Sequence, residues 1–471
     1  MTASSRQKGF NLLSIRFVRS FVLWPGFPYI FQLFTIAVFV LLAVTGWRRF
    51  TPEGVNDKLY AKTNIVNLLI WGLWWPSIVW MSVLFGRVWC MVCPLELIAN
   101  GTERFARRLG IKQLVLGMWL QSGTLIVGIY ALIQLLVSGI NLHRVPAYTS
   151  VFLWGLLSTA ALAGFFFKDR AFCRGFCPIG LLLGTYGRGS MLAVRAGSDQ
   201  VCGTCTGKDC IKACNRTRLD GRSCPSLLNP PKLNSSRDCL VCGQCIKSCK
   251  PDNMQLVLRR PFHPADTREP LASWPTTIFV MLVSGFVTYE LCTEWNVAKS
   301  VLLWIPASLS SYFGFSSAMG WIKGIWIICI YPTILWFVLG VISVFTRRSI
   351  SLTHSWRLLA LPLVVIVSAG HMAKGLAKFT SWIGFLPYAL KDPSGIETVS
   401  EITSKTISQP GPILSLPSVS VAGIVLIVAG LCFSIREARL ANPETYHRHL
   451  VPNYIVASLF LFIITGWGLL Q

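Results

Sequence analysis

Charge is scarce in this chain. Only 13% of its 471 residues are Asp, Glu, Lys or Arg, against about 25% in a soluble domain, and that shortfall excludes an ordinary water-soluble fold. Acidic residues are the scarcer half, 19 against 43 Lys and Arg, for a formal net charge of +24. The sequence also lacks a Gly-rich phosphate loop and a His-Glu-x-x-His zinc motif, so nothing points to a nucleotide-driven transporter or a zinc hydrolase. No internal repeat with a period of about 20–50 residues is visible, which argues against a solenoid. Nor are the 16 cysteines scattered as the disulfides of a small secreted domain would be, which leaves metal or redox chemistry as their leading use.

Apolar residues are abundant, at 53%. Crossing about 30 Å of hydrocarbon takes about 20 of them in a row. Nine stretches qualify as candidate spans, near 28–47, 64–86, 114–138, 147–167, 274–293, 320–346, 355–374, 416–435 and 453–470. The first ends in Trp47-Arg48-Arg49 with no small-residue cleavage site, so it is expected to be retained rather than removed as a signal peptide. With the N-terminus inside, the inner connections hold 32 Lys and Arg and the outer ones 10. This bias predicts a multi-pass protein of the cytoplasmic membrane with its N-terminus in the cytoplasm and its C-terminus outside. The excess of positive charge is then chiefly a topology signal, and nucleic acid is not needed to explain it.

Residues 168–273 form the long polar interruption and carry eleven of the sixteen cysteines. One series runs Cys202-x2-Cys205-x4-Cys210-x3-Cys214, followed by Cys224-Pro225; the other runs Cys239-x2-Cys242-x2-Cys245-x3-Cys249. Two-residue gaps fold the backbone around the corner of a [4Fe–4S] cube, and in two-cluster ferredoxins the fourth thiolate reaches the other cube. Cross-sharing assigns Cys202, Cys205, Cys210 and Cys249 to one cluster and Cys239, Cys242, Cys245 and Cys214 to its neighbour. Two extra residues, Gly207 and Lys208 among the candidates, lengthen the first series, and Cys224 is a rival for the place of Cys214. A four-cysteine zinc ribbon is the alternative use of such pairs.

Two further pairs, Cys90-x2-Cys93-Pro94 and Cys173-x3-Cys177-Pro178, each follow a candidate span at its inner end. Together they offer four thiolates, the complement of one more cluster at the membrane surface. Separate dithiol couples or a structural zinc are the competing readings. The expected fold is therefore an all-α polytopic membrane protein of about nine transmembrane helices with an inserted α+β bacterial-type two-cluster ferredoxin domain. Its expected divisions are 1–167, 168–273 and 274–471.

In this order of spans, cysteine pairs and twin cluster motif, the chain resembles the polyferredoxin membrane proteins. These are typified by the quinol-oxidising subunit of periplasmic nitrate reductase systems, the membrane part of the nitrous-oxide-reductase regulator and the assembly factor of cbb3-type oxidases. The resemblance covers roughly residues 20–255 and implies electron transfer among a quinone pool, cytoplasmic donors and extracytoplasmic redox partners, within a multi-subunit complex. A copper or iron reductase serving another enzyme's assembly, and a non-catalytic anchor and relay subunit, are the alternatives. In the family the first pair commonly has three intervening residues; here it has two.

The remaining five spans carry few polar groups. His371, near the outer end of its span, is a candidate quinone contact or haem ligand, with His143 at similar depth as a conceivable partner. Glu290 is a candidate proton carrier if quinone is a substrate. Cys292, Cys329 and Cys432 occur singly and read as packing residues. The connection 374–415, with Asp392, Glu397 and Glu401, is a candidate docking surface or a solvated loop.

Overall fold

A computed structural model describes residues 9–347 and 351–469. Arg6, Lys8 and Arg348, part of the charge count above, lie outside these residues. Among the described residues seven helices are long and apolar enough to cross a membrane: Ile65–Phe85, Pro146–Phe166, Trp274–Cys292, Met319–Thr346, Leu352–Lys391, Leu416–Ala441 and Leu450–Leu469. Two shorter apolar helices, Tyr29–Thr45 and Thr124–Gly139, fall where the other two spans were expected. At 1.5 Å per residue, 17 and 16 residues reach about 25 Å, a turn less than the hydrocarbon.

The reasons for the shortening are local. Arg48 adopts a left-handed φ of 57° just after the first helix, and Gly123, at φ 92°, precedes the second. Residues before Gly123 are apolar but not part of that helix. Leu114 instead pairs with the backbone at Phe167, accepting a hydrogen bond from Lys168 N at 3.1 Å.

The chain divides into two compact units. The first comprises residues up to Phe39, Met81–Ile126 and Gly155–Arg268. It contains an antiparallel sheet in the order β1-β3-β2, made of β1 (Phe10–Asn11), β2 (Leu192–Ala196) and β3 (Met254–Leu258). Leu192 pairs with Leu258 and Ala196 with Met254, while Phe10 pairs with Leu258 from the other side. One sheet face packs Val194, Met254 and Leu256 with Leu13, Val22, Val241 and Ile246 around the thiols of Cys210 and Cys245. Burial of this apolar set is what folds the cysteine loops onto the sheet.

The second unit comprises Val40–Trp80, Val127–Trp154 and the chain from Glu269 onward. Helix Leu352–Trp382 runs through its middle; 94% of its apolar window is buried, against 33% for the window of Leu416–Ala441. Small residues permit this. A Cβ on Gly430 would lie 2.7 Å from Ala369 and one on Gly423 3.3 Å from Ala373, so the helices meet along a stripe of Gly and Ala, as membrane helices commonly do. Buried hydrogen bonds tie the rest, including Ser434 Oγ to Pro362 O at 2.7 Å, Asn453 Nδ2 to Ser434 Oγ at 2.9 Å and Trp467 Nε1 to Leu291 O at 3.0 Å.

Candidate metal centres

The two Cys-Pro pairs share one local design. Cys93 and Cys177 are extended residues immediately before helices Pro94–Arg108 and Pro178–Tyr186, with proline in the first helical turn. Proline there pre-sets the helix and gives up no hydrogen bond, because the first amides of a helix are unpaired anyway. Each thiol consequently sits at a helix N-terminus, where the amides of Glu96 and Gly180 favour its ionised form. The spacings differ by one residue, and the backbone absorbs it. Cys90 lies in an ordinary turn, its amide bonded to Arg87 O at 3.0 Å, whereas Cys173 lies in a π-turn, Phe172–Phe176, closed by Cys177 N on Phe172 O at 3.0 Å.

The structure brings these four cysteines together. Burial pushes the Cys177 thiol up to about 12, and the neighbouring Cys173 and Cys90 add to the effect. Burial likewise lifts Cys93 well above its ordinary value, with Cys177, Cys173 and Cys90 adding their repulsion. Arg87 and Arg170 oppose this at Cys173.

A second set joins Cys202, Cys205, Cys210 and Cys249. Burial raises the Cys210 thiol to about 11, and Cys249, Cys202 and Cys205 follow as causes. Asn253 serves this set twice, donating from Nδ2 to Cys202 Sγ at 3.1 Å and from its backbone N to Cys249 Sγ at 3.3 Å. The lengthened first series folds so that Lys208, at a left-handed φ of 46°, donates its amide to Cys205 Sγ at 3.4 Å.

The third set holds Cys239, Cys242 and Cys245, and its fourth neighbour is Cys224. Burial raises Cys242 to about 12, with Cys224 the next cause. The four thiols line one pocket with Pro225 and Leu240. Cys224 reaches it because its amide bonds Cys210 O at 2.9 Å. Cys214, which the spacing favoured, is exposed and donates its thiol to its own neighbour Asn215 Oδ1 at 3.8 Å. The three-residue gap after Cys210 closes a local 3-10 turn, Ala213–Asn215, instead of carrying the thiol inward.

Gly243 makes the third set's tight loop feasible. It is left-handed at φ 71° and a Cβ there would lie 3.0 Å from Val22.

All-sulfur donor sets suit zinc or iron–sulfur clusters. The thiols here repel one another, yet among the described residues no three His, Cys, Asp or Glu side chains close on a point that would hold a single ion. Buried guanidinium donors that make no hydrogen bond, Arg170 Nη2 and Arg222 Nε, lie beside the thiols. Glu96 answers the charge of both groups, and the nitrogens left over are donors of the kind that the sulfides of a [4Fe–4S] cube accept. The residues fit that group better than they fit zinc.

A family model described as a 4Fe-4S binding domain matches residues 67–112 and 150–195. Each stretch holds an apolar helix, a cysteine pair, the proline and the helix that follows. The chain is similar to polyferredoxin-type membrane proteins. Relatives include the ferredoxin-type protein NapH of Haemophilus influenzae, 29% identical over 189 residues, covering 36% of this chain and 62% of that protein. NapH of Escherichia coli is 27% identical over 194 residues, covering 37% and 62%. An uncharacterised protein of Methanocaldococcus jannaschii is 24% identical over 220 residues, covering 42% and 82%. The match thus spans 62% of the length of either NapH. No solved structure matches the chain.

In the second unit of this polyferredoxin-like protein His371 is buried, 3% exposed, and packed between the rings of Trp75 and Phe286 at 5.9 and 5.8 Å. Lys374, one turn on, bonds Thr293 Oγ1 at 2.6 Å, pairs with Glu294 and lies 3.9 Å from Glu290. A chain of ring contacts links His143 to this region, from His143 to Trp71, from Trp71 to Trp75 and from Trp75 to His371. Its Nε2 accepts a hydrogen bond from Arg144 Nε at 3.1 Å. In the connection after Lys391, Asp392 is a turn-former, accepting from Gly395 N at 3.1 Å and Thr398 N at 3.0 Å. Cys292 is buried, whereas Cys329 and Cys432 are exposed on helix faces.

Proposed function

We propose that this chain relays single electrons through three [4Fe–4S] clusters, between a donor at the cytoplasmic face and a quinone pool or an extracytoplasmic redox partner, as part of a larger complex. The observation that carries the reading is the gathering of twelve thiols into three sets of four within one unit. On it, Cys90, Cys93, Cys173 and Cys177 hold the cluster nearest the membrane; Cys202, Cys205, Cys210 and Cys249 hold the second; Cys239, Cys242 and Cys245 hold the third with Cys224. Bound clusters would supply one-electron chemistry at potentials set by charge, hydrogen bonds and exposure. The protein's part is to offset charge with Arg87, Arg170 and Arg222, and to donate hydrogen bonds to sulfur from Asn253.

The charge bias supports an inner-membrane protein with the cysteine-bearing loops and N-terminus in the cytoplasm and the C-terminus outside. Nine crossings result if the two shorter apolar helices also span. We assign His371 to a quinone rather than a haem, because the rings packed on it are those of Trp75 and Phe286 and not a second imidazole. Quinone reduction takes up protons, and we assign their passage to Lys374, one helical turn from His371 and in contact with Glu290 and Glu294.

Iron and acid-labile sulfide counts on the purified full chain test the core of the reading. It requires about twelve of each per chain, and zinc without sulfide would sink it. Reoxidation of the reduced protein by a quinone analogue, with no haem band in the reduced-minus-oxidised spectrum, tests the rest; reoxidation by copper or iron salts alone would favour a metal reductase.

A further inference from the structure

Three charged side chains, distant in sequence, meet in the interior of the first unit. Glu96, 2% exposed, accepts from Arg222 Nη2 at 3.0 Å and lies 3.4 Å from Arg170 Nε. Gln32 Nε2 completes the site, donating to Glu96 at 2.8 Å and to Met91 O at 2.9 Å. Burying an Arg-Glu-Arg trio is costly. Its members are tied to cysteine ligands at every corner. Glu96 follows Cys93 by three residues; Arg170 precedes Cys173 by three and donates to Ser226 Oγ at 3.3 Å, two residues past Cys224. Arg222 precedes Cys224 by two, and its amide donates at 3.1 Å to Gln244 Oε1, the residue before Cys245.

One side of the trio is therefore built into the set Cys90, Cys93, Cys173 and Cys177, and the other into the set Cys224, Cys239, Cys242 and Cys245. The charges reach both. Arg170 is acted on by Cys173 and Cys90 on one side and Cys242 on the other, while Arg222 is acted on by Cys242. The Cys202 set is held differently: its sulfurs take hydrogen bonds from Asn253 and Lys208.

Resting on the three-cluster reading, we propose that Arg170, Glu96 and Arg222 are positioning residues that form a fixed-charge bridge, setting the reduction potentials of the membrane-surface cluster and the Cys224 cluster together and leaving the Cys202 cluster alone. Reduction adds negative charge to a centre. A buried carboxylate beside it opposes the electron and a buried guanidinium favours it, both less screened than charges in water. Sharing one trio keeps the two potentials in step.

The test is an EPR-monitored redox titration of the full chain, purified with its clusters, for wild type, Glu96→Gln and Arg222→Gln. Signals are assigned with Cys90→Ala, Cys205→Ala and Cys242→Ala. Glu96→Gln is expected to move the surface and Cys224 signals to higher potential, Arg222→Gln to lower, and neither to move the Cys202 signal. Opposite signs separate a charge effect from loosened packing, which would not reverse with the charge removed. Shifts of one sign, shifts at all three centres, or none at the paired two overturn the proposal. Loss of iron from both variants with helix content kept would make the trio a scaffold, which also overturns it. Failure of the underlying reading is distinct, because it shows in wild type as fewer than three clusters.

Discussion

The Cys202 and Cys239 loops offer the same ligands and solve opposite electrostatic problems. Between the cysteines of the first, Gly203, Thr204, Thr206 and Lys208 are exposed; between those of the second, Leu240, Val241, Gly243 and Gln244 are buried. Near water, neutral donors suffice, and the first loop uses amides of Asn253 and Lys208. In the interior, water cannot stabilise thiolate or cluster charge, so the second set is bordered by guanidinium groups of Arg170, Arg195 and Arg222. Ligand spacing thus speaks to what is bound, and surroundings to what the proposed centre would be suited to: on the relay reading, the first to exchange electrons with a soluble partner and the second to pass them inward.

The sharpest break in this comparison is ligand removal. Cys224→Ser is expected to abolish one cluster, about four iron and four sulfide, with the loss confined to the interior signal. Cys214→Ser is expected to leave the counts unchanged. The reverse result would return Cys214 to the ligand set and dissolve the contrast between the loops.

Next in size is the ion cluster that anchors the interior loop. Asp266 accepts from Arg195 Nη2 at 2.7 Å and pairs with Arg259, and Ser236, three residues before Cys239, accepts from both arginines at 3.1 and 3.3 Å. Burial alone would raise the Asp266 carboxyl, yet the two arginines hold it below the usual carboxylate range. A depressed carboxylate stabilises the fold above its unfolded pKa, about 3.9, and that contribution is lost as pH falls through the lower folded value. Asp266→Asn leaves two buried cations unpaired and is expected to cost about 3–5 kcal/mol at neutral pH. Thermal unfolding in detergent should show the gap from wild type narrowing below about pH 4; a gap independent of pH would mean the pair does not carry the stability.

How much of this was legible follows from what is local. Eleven of the twelve gathered thiols could be named from spacing, because gaps of two to four residues between cysteines are a local geometric demand. Cys224 ranks below Cys214 on spacing, since its place depends on a backbone bond to Cys210; the Pro225 after it is the local signal. The one-residue difference between the surface pairs is absorbed by a π-turn that composition does not announce. Glu96, Arg170 and Arg222 gave no pattern at all, because the fold alone brings residues 96, 170 and 222 together. Strand β1, two residues long, is below what alternation can reveal. Apolarity overextended the stretch 114–138, since it cannot see that Leu114 is claimed by the backbone at Phe167.

A smaller effect sharpens the exposed side of the comparison. Asn253→Ala removes the Nδ2 hydrogen bond to Cys202 but keeps the backbone bond to Cys249. Losing a donor to a ligand sulfur makes added negative charge less welcome, so the potential of the Cys202 cluster should fall. One hydrogen bond of about 1 kcal/mol corresponds to roughly 40 mV for one electron. EPR titration should find the interior centres unmoved.

The smallest effect concerns the partner that the exposed loop would meet. Lys208, Lys212 and Lys250 are exposed around this set, and Lys212 and Lys250 are only partly answered by Asp209, at 3.8 and 3.3 Å. Their attraction for an acidic electron donor works through water, where fields reach about 30 Å at 0.01 M salt but about 3 Å at 1 M. Replacing Lys208 and Lys250 with glutamine should therefore slow reduction by an acidic ferredoxin-like donor severalfold at low salt and leave the rate near wild type at high salt. The same change should not slow reduction by a small neutral reductant, because the ligands and their hydrogen bonds to sulfur are intact. A rate that ignores salt in wild type would place the exchange elsewhere and leave the exposed loop without the role its surroundings suit.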